Sequence, residues 1–215
     1  MKIIVISDLH SKFSILPLFL EKIELLNADL IISCGDLTDF GSPIELKRML
    51  SEISSKIPII SVLGNCDPPN ALEDEDLKKY LLHGEYAIFD DTVISGVSGA
   101  NITPFRTPFE LSEEELSSLL FTSIPKESYK YWIVVSHVPP YGFLDTPSDD
   151  LHVGSRALRE FIVNYSPDYL LCGHIHEARG STELSSTTIV NPGPLSKGFY
   201  AVLELNTPKL VFANL

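Results

Sequence analysis

Five short apolar runs, each followed by glycine or by a side chain able to bind a metal, constrain this 215-residue chain most strongly. The runs are rich in β-branched residues, which is typical of buried strands that lead into loops. They cover residues 3–6, 30–32, 59–63, 132–135 and 169–171. In open α/β sheets, sites form beyond the carboxyl ends of the strands. The pattern therefore predicts an α/β fold with one site built from five strand ends.

The segments between these runs carry helical patterns, so the first half of the chain is predicted as β-α-β-α-β. One helix is predicted over residues 13–26, with Pro17 in its first turn. A second begins at Ser42 with Glu45 reaching back to cap it, and runs to about residue 56. Ser112 and Ser155 are predicted to begin two further helices. Strand-like segments near the carboxyl terminus predict a mixed sheet or two packed sheets.

Length and composition predict a single domain spanning residues 1–215, since 44% of the residues are apolar and suffice for one core. Ser7 and Asp8 interrupt the amino-terminal apolar run before it resembles a signal peptide. No apolar stretch approaches the ~20 residues that span a bilayer. Three cysteines cannot form a closed disulfide framework. We therefore expect a cytoplasmic protein without a membrane partner.

The formal net charge of −13 disfavours a nucleic-acid polymer as partner, because such proteins usually display a basic surface. A small phosphate ester remains a suitable substrate, since the overall charge is screened beyond about 10 Å and metal ions dominate locally. The sequence leaves the oligomeric state open.

Seven side chains after the apolar runs are suited to binding two metal ions. Asp36 follows a glycine that permits a sharp turn, and it is the best candidate to bridge the ions. Nitrogen and oxygen ligands without a thiolate favour Mn²⁺, Fe, Co²⁺, Ni²⁺ or Zn²⁺ over Ca²⁺. The candidate ligands are Asp8, His10, Asp36, Asn65, His137, His174 and His176.

The charges of these ligands indicate the reaction. Two divalent ions outweigh two carboxylates and a bound hydroxide, so the centre stays positive and attracts a phosphate. We therefore expect hydrolysis of a small phosphodiester or phosphomonoester by attack of a metal-bridging hydroxide. The predicted catalytic residues are Asp36, Asn65 and His137. The alternative is a scaffold or binding protein on the same fold, without catalysis.

Five blocks of the sequence resemble those of the calcineurin-like metallophosphoesterases. The resemblance implies a four-layer α/β/β/α sandwich with mixed sheets and two metals at its upper edge. It implies that Asp8, His10, Asp36 and His176 bind one metal, and that Asp36, Asn65, His137 and His174 bind the other. Residues 103–109, 137–140, 152–155, 173–177 and 191–194 more narrowly resemble the Icc-related predicted phosphoesterases. The five blocks are Asp8-Leu9-His10, Gly35-Asp36, Gly64-Asn65-Cys66-Asp67, Ser136-His137 and Gly173-His174-Ile175-His176.

Cys66 departs from the family pattern, in which many members have a histidine assigned to the leaving group. A thiol offers only a weak hydrogen bond and cannot replace an imidazolium. Aryl esters and strained cyclic phosphates should therefore be preferred over unactivated alkyl monoesters. His152 or Arg106 can replace the missing donor, although both also fit exposed loop positions.

Two other residues and two loops complete the predicted site. Asp67 and Asn191 are candidates for orienting the metal-bound imidazoles, and turn capping is the alternative role for both. The long loops at residues 99–109 and 139–154 are predicted to form the rim of the pocket.

Overall fold

The described part of the chain, residues 1–148 and 151–215 of a computed structural model, contains strands and helices in an alternating order. The predicted β-α-β-α-β order of the first half is confirmed. In chain order the elements are β1 (Lys2–Ile6), α1 (Leu16–Glu24), β2 (Leu30–Ser33), α2 (Pro43–Ser54), β3 (Ile59–Ser61), α3 (Glu75–Lys78), β4 (Glu85–Phe89), β5 (Thr92–Val97), β6 (Ala100–Asn101), β7 (Glu110–Leu111), α4 (Glu113–Thr122), β8 (Tyr131–Ser136), α5 (Arg156–Tyr165), β9 (Tyr169–Leu171), β10 (Gly180–Leu184), β11 (Thr187–Asn191), β12 (Phe199–Glu204) and β13 (Lys209–Asn214).

The strands form two large mixed sheets. The first has the order β13–β12–β1–β2–β3, and the second has the order β10–β11–β9–β8–β5–β4. Strands β1, β2 and β3 run parallel, as do β5, β8, β9 and β11. Strands β6 and β7 form a separate small pair. Parallel neighbours end at the same edge of a sheet, so each large sheet gathers its strand-end loops along one edge.

Three apolar clusters separate the layers of the fold. The cluster between the sheets contains Ile3 and Val5 of β1 together with Ile133 and Val135 of β8. The other face of the first sheet packs against α1 and α2, and the other face of the second packs against α4 and α5. This alternation of inward residues along each strand buries both faces of both sheets. The four-layer α/β/β/α sandwich with mixed sheets is confirmed.

Helix starts follow the predicted capping residues, with one correction. The side chains of Ser42, Ser112 and Ser155 each accept a hydrogen bond from the first turn of the following helix. Glu45 does not reach back to cap its own helix. Its carboxylate instead accepts a hydrogen bond from Ser11 in the loop after β1. That prediction was wrong because a tertiary partner competes with the local one.

The first helix is shorter than predicted. Helix α1 covers Leu16–Glu24, and Pro17 lies in its first turn as required. Among residues 1–148 and 151–215, no helix is both long and apolar enough to cross a membrane. Asp149 and Asp150, in the predicted rim loop, lie outside the described residues.

Candidate metal centre

All seven predicted ligands lie in loops that follow parallel strands. The loops after β1, β2 and β3 belong to the first sheet, and those after β8 and β9 belong to the second. Because the sheets are stacked, these two sets of loops face each other at one edge of the sandwich. The candidate ligands are Asp8 and His10 after β1, Asp36 after β2, Asn65 after β3, His137 after β8, and His174 and His176 after β9.

One set of donor atoms surrounds the Asp8 carboxylate. His176 Nε2 lies 3.2 Å from Asp8 Oδ1, and His10 Nε2 lies 3.7 Å from the same oxygen. The two imidazole nitrogens lie 3.3 Å apart. All three atoms lie within 4.8 Å of one another, a spacing that lets them bind one cation. The structure therefore brings together Asp8, His10 and His176.

A second set of donor atoms surrounds His137. Its Nε2 lies 3.3 Å from Asp36 Oδ2 and 3.0 Å from Asn65 Oδ1. The His174 ring packs edge-on against His137, with 4.9 Å between the ring centroids. Asp36 Oδ2 also lies 3.8 Å from His10 Nε2 of the first set. Asp36 thus lies between the two sets, in the position predicted for a bridging carboxylate.

An unpaired buried oxygen supports the fit of this donor set to cations. Asp8 is 1% exposed, and its Oδ1 accepts no well-formed hydrogen bond. Such an oxygen is costly to bury unless a partner satisfies it. Facing imidazole nitrogens and a buried carboxylate oxygen provide the ligands that divalent transition metals prefer.

Backbone strain is concentrated at the ligands. Asp8, His10, Asp36 and His174 all have positive φ values, between 48° and 66°. Non-glycine residues rarely adopt this left-handed conformation, and strained residues cluster at functional sites. In the loop after β1 this conformation is adopted by both Asp8 and His10, which belong to the same donor set. The sequence contained no signal for it.

Two backbone groups missed by the sequence analysis set the orientation of the central ligands. The Cys66 amide donates to Asp36 Oδ1 at 2.8 Å, which leaves Oδ2 to face the histidines. His137 Nδ1 lies 2.8 Å from the Cys34 carbonyl oxygen. Because a carbonyl only accepts, Nδ1 carries the proton and Nε2 presents its lone pair to a cation.

Asp67 and Asn191 contact the loop backbones that carry the ligands. Asp67 is fully buried and accepts hydrogen bonds from the amides of Gly64 and Thr38, thereby joining the loops after β3 and β2. Asn191 donates to the Ile175 carbonyl at 2.9 Å, within the loop after β9. Their contacts with the backbone support positioning roles and also fit the alternative of turn capping.

The electrostatics of the centre favour deprotonated carboxylates. Burial raises the pKa of Asp36, but His137 and His10 outweigh this effect and hold it well below its usual range. Burial likewise lowers the pKa of His137, but the Asp36 charge raises it to about 9. Burial, together with the His137 charge, lowers the pKa of His174 to about 4. At neutral pH the metal-free centre therefore holds a second proton on His137, at Nε2, which a cation must displace before it can bind there.

A cavity of about 690 Å³ opens beside Asn65 and His174. Both predicted rim loops line it, which confirms their assignment to the pocket. His152 lies in its wall, whereas Arg106 is exposed and is not among its lining residues. Cys66 is not itself a lining residue; its sulfur lies near His10 and Asp39 and accepts a hydrogen bond at 3.5 Å from the side chain of the lining residue Asn65.

Cys66 is poorly suited to acid catalysis. Burial and the Asp36 charge raise the pKa of its thiol well above the usual range. The thiol therefore stays protonated at neutral pH, and it is a much weaker proton donor than an imidazolium. Its useful contact is the backbone amide that holds Asp36.

Comparison with known proteins identifies the family of this chain. Residues 1–178 match the model of the family described as calcineurin-like phosphoesterase. An uncharacterized protein of Methanocaldococcus jannaschii, MJ1162, is 35% identical over 93% of this chain and 91% of its own length.

Solved structures share the fold. TT1561 of Thermus thermophilus has a TM-score of 0.76 at 20% identity, over 99% of this chain and 98% of that one. A dimetal phosphatase from Danio rerio has a TM-score of 0.67 at 12% identity, over 100% and 95% of the two chains. With the family match over most of its length and with clustered candidate metal ligands, the chain belongs to the calcineurin-like phosphoesterase family.

Proposed function

We propose that the protein is a binuclear metal-dependent phosphoesterase that hydrolyses a small phosphodiester or phosphomonoester. The observation that carries this proposal is the position of Asp36 Oδ2, within 3.8 Å of His10 and 3.3 Å of His137. One carboxylate oxygen thus faces both donor sets. Such an arrangement suits a pair of ions that share a ligand.

The ligand sets follow from the geometry and the family pattern. Asp8, His10, Asp36 and His176 would hold one divalent transition-metal ion. Asp36, Asn65, His137 and His174 would hold the other. When bound, the two ions would supply positive charge for the phosphate and lower the pKa of a shared water.

The protein's own residues determine the net charge of the centre and the side from which the substrate reaches it. Asp8 and Asp36 are the two anionic ligands, so two divalent ions leave the centre positive and attractive to phosphate. Asn65 and His174 face the cavity and mark the side from which substrate enters. The net charge of −13 continues to disfavour long polyanions as substrates.

His152 is our candidate for the donor that Cys66 cannot supply. Its Nδ1 lies 2.7 Å from Oδ1 of the buried Asp145. The other carboxylate oxygen of Asp145 accepts the amides of Gly142 and Gly154, so this anchor is firmly held. With Nδ1–H donating to Asp145, the imidazolium form would carry a second proton on Nε2, which it could give to a leaving oxygen in the cavity and thereby become neutral.

His152→Ala should slow esters with poor leaving groups far more than esters with good ones. Donation to a basic alkoxide is typically worth about 10²–10⁴ in rate, and an aryloxide needs little of it. The measurement is kcat for a primary alkyl phosphate and for p-nitrophenyl phosphate in both proteins. Arg106→Ala is the matched control and should change neither rate. Equal slowing of both esters by His152→Ala would contradict the role.

The proposed function is tested by removing the metals and restoring them one at a time. We expect the stripped protein to be inactive toward bis(p-nitrophenyl) phosphate, and Mn²⁺, Fe²⁺, Co²⁺, Ni²⁺ or Zn²⁺ to restore hydrolysis. Bound metal is measured on the same samples by elemental analysis. A protein that takes up none of these ions and hydrolyses no ester would instead favour the scaffold alternative.

A further inference from the structure

Large apolar side chains are exposed around the cavity beside the metal centre. Phe105 is 83% exposed, Ile102 is 68% exposed and Leu151 is 52% exposed. All three line the cavity, together with Pro104 and Pro147. We call these five residues the apolar wall. Exposed apolar side chains gathered in one concave patch are typical of a binding surface.

The loop that carries Phe105 is held in one conformation by hydrogen bonds. Oε1 of Glu110 accepts hydrogen bonds from the Thr107 amide at 2.9 Å and from the Thr103 hydroxyl. The Phe105 amide donates to the same Thr103 hydroxyl at 3.1 Å. These bonds hold a tight turn whose apolar side chains point away from the core. The turn thus holds Phe105 at the surface. Packing in the core therefore does not explain why a phenylalanine lies at this position.

The two rim loops are also joined to each other. The Asn101 side chain donates to the Val153 carbonyl at 3.1 Å. This contact brings Ile102 and Phe105 of one loop to the same cavity as Leu151 of the other. The apolar wall is thus a single surface assembled from distant segments.

The wall is continuous with the metal centre. Asn65 and His174 line the same cavity, so a phosphate held at the centre would place its organic group against the wall. Polar residues line the rest of the cavity, among them Asn101, Glu113 and Glu177. His152 is held by Asp145, and the Arg156 guanidinium stacks over the Tyr141 ring at 4.1 Å.

We propose that the apolar wall binds the organic group of the substrate, which is a phosphate ester with an aromatic or similarly apolar group. This inference rests on the proposed function, because the metal centre supplies the phosphate site. Burying on the order of 100 Å² of apolar surface corresponds to a ten- to hundredfold gain in affinity. Sugar phosphates and inorganic phosphate gain no such contact.

The test uses phenylphosphonate and methylphosphonate, whose carbon–phosphorus bonds are not hydrolysed by this chemistry. Their dissociation constants are measured by calorimetry with metal-loaded protein, at a pH where both are dianions. Both share the phosphonate group, so they differ only in the organic group. We expect phenylphosphonate to bind ten- to hundredfold more tightly.

Substitutions in the apolar wall test whether these residues cause the preference for phenylphosphonate. Phe105→Ser, Ile102→Ser and Leu151→Ser should each reduce the preference for phenylphosphonate, while affinity for methylphosphonate stays within about twofold of its original value. Ile44→Ser and Leu25→Ser are matched controls, because these side chains are 81% and 78% exposed at other surfaces. Neither control should change the preference.

Two outcomes overturn the inference. One is equal binding of the two phosphonates, and the other is a preference that all three wall variants retain. In the first case the wall is better explained as a contact for another protein. Failure of the proposed function is detected separately, as the absence of ester hydrolysis at any metal composition, because phosphonate binding is measured without turnover.

Discussion

Asp36→Ala is expected to reduce kcat/KM toward bis(p-nitrophenyl) phosphate by at least about 10³-fold, because one carboxylate serves both donor sets. Its Oδ2 lies 3.8 Å from His10 Nε2 and 3.3 Å from His137 Nε2, so one oxygen faces a histidine of each set. In the proposed binuclear centre, removing it would leave each ion one ligand short and would remove one of the two negative charges. The same variant should bind less metal after reloading.

Stability measurements separate this effect from misfolding. Metals that bind only the folded state raise its melting temperature, and this rise should disappear in Asp36→Ala. Asp91→Ala is the matched control, since Asp91 is an exposed acid in the hairpin between β4 and β5. It should retain both the activity and the metal-induced rise. An Asp36→Ala protein with normal metal content and turnover would refute the bridging assignment.

Gly64→Ala should disrupt the metal centre although it replaces none of the candidate ligands. A Cβ at this position would lie 2.0 Å from Asp36 Oδ1 and 2.5 Å from the Asp36 amide nitrogen. Neither atom can move freely, because the Cys66 amide holds the carboxylate and the amide belongs to the backbone. We expect metal affinity to fall by at least 10–100-fold, with an overpacking cost of about 1–3 kcal/mol in the free energy of unfolding.

Gly198→Ala tests whether the loss of any glycine with restricted surroundings or backbone is sufficient to reduce metal affinity. Gly198 has a left-handed φ of 85°, but its nearest neighbour to a new Cβ is Leu215 at 3.6 Å. The substitution should cost about 1–2 kcal/mol through backbone strain and leave metal binding intact. Calorimetric metal titration and thermal unfolding of both variants provide the comparison. Equal metal affinity in Gly64→Ala and the original protein would show that the loop can relax.

Much of the site was predictable because strand ends have a sequence signature. Short β-branched runs closed by glycine and polar residues correctly placed Asp8, Asp36 and His137 after parallel strands. The two long loops were also correctly assigned to the pocket rim. These predictions succeeded because hydrophobic periodicity and loop length are local properties.

Other features depended on partners far away in sequence. Glu45 contacts Ser11 instead of its own helix start, and the Cys34 carbonyl sets the tautomer of His137. The sequence left open whether His152 or Arg106 faces the cavity. Both lie in loops, which have no hydrophobic periodicity to show which side chains point inward. Of these two residues, His152 lines the cavity and Arg106 does not.

The sequence by itself determined the order of strands and helices in the first half, the candidate metal-binding side chains and their family pattern. Composition and periodicity carry this information because each strand must bury its own apolar residues. Only the tertiary structure decided how Asp36 lies between the histidine sets and how Phe105 joins the cavity. Those positions depend on close contacts such as Gly64 against Asp36, which form between segments that are distant along the chain.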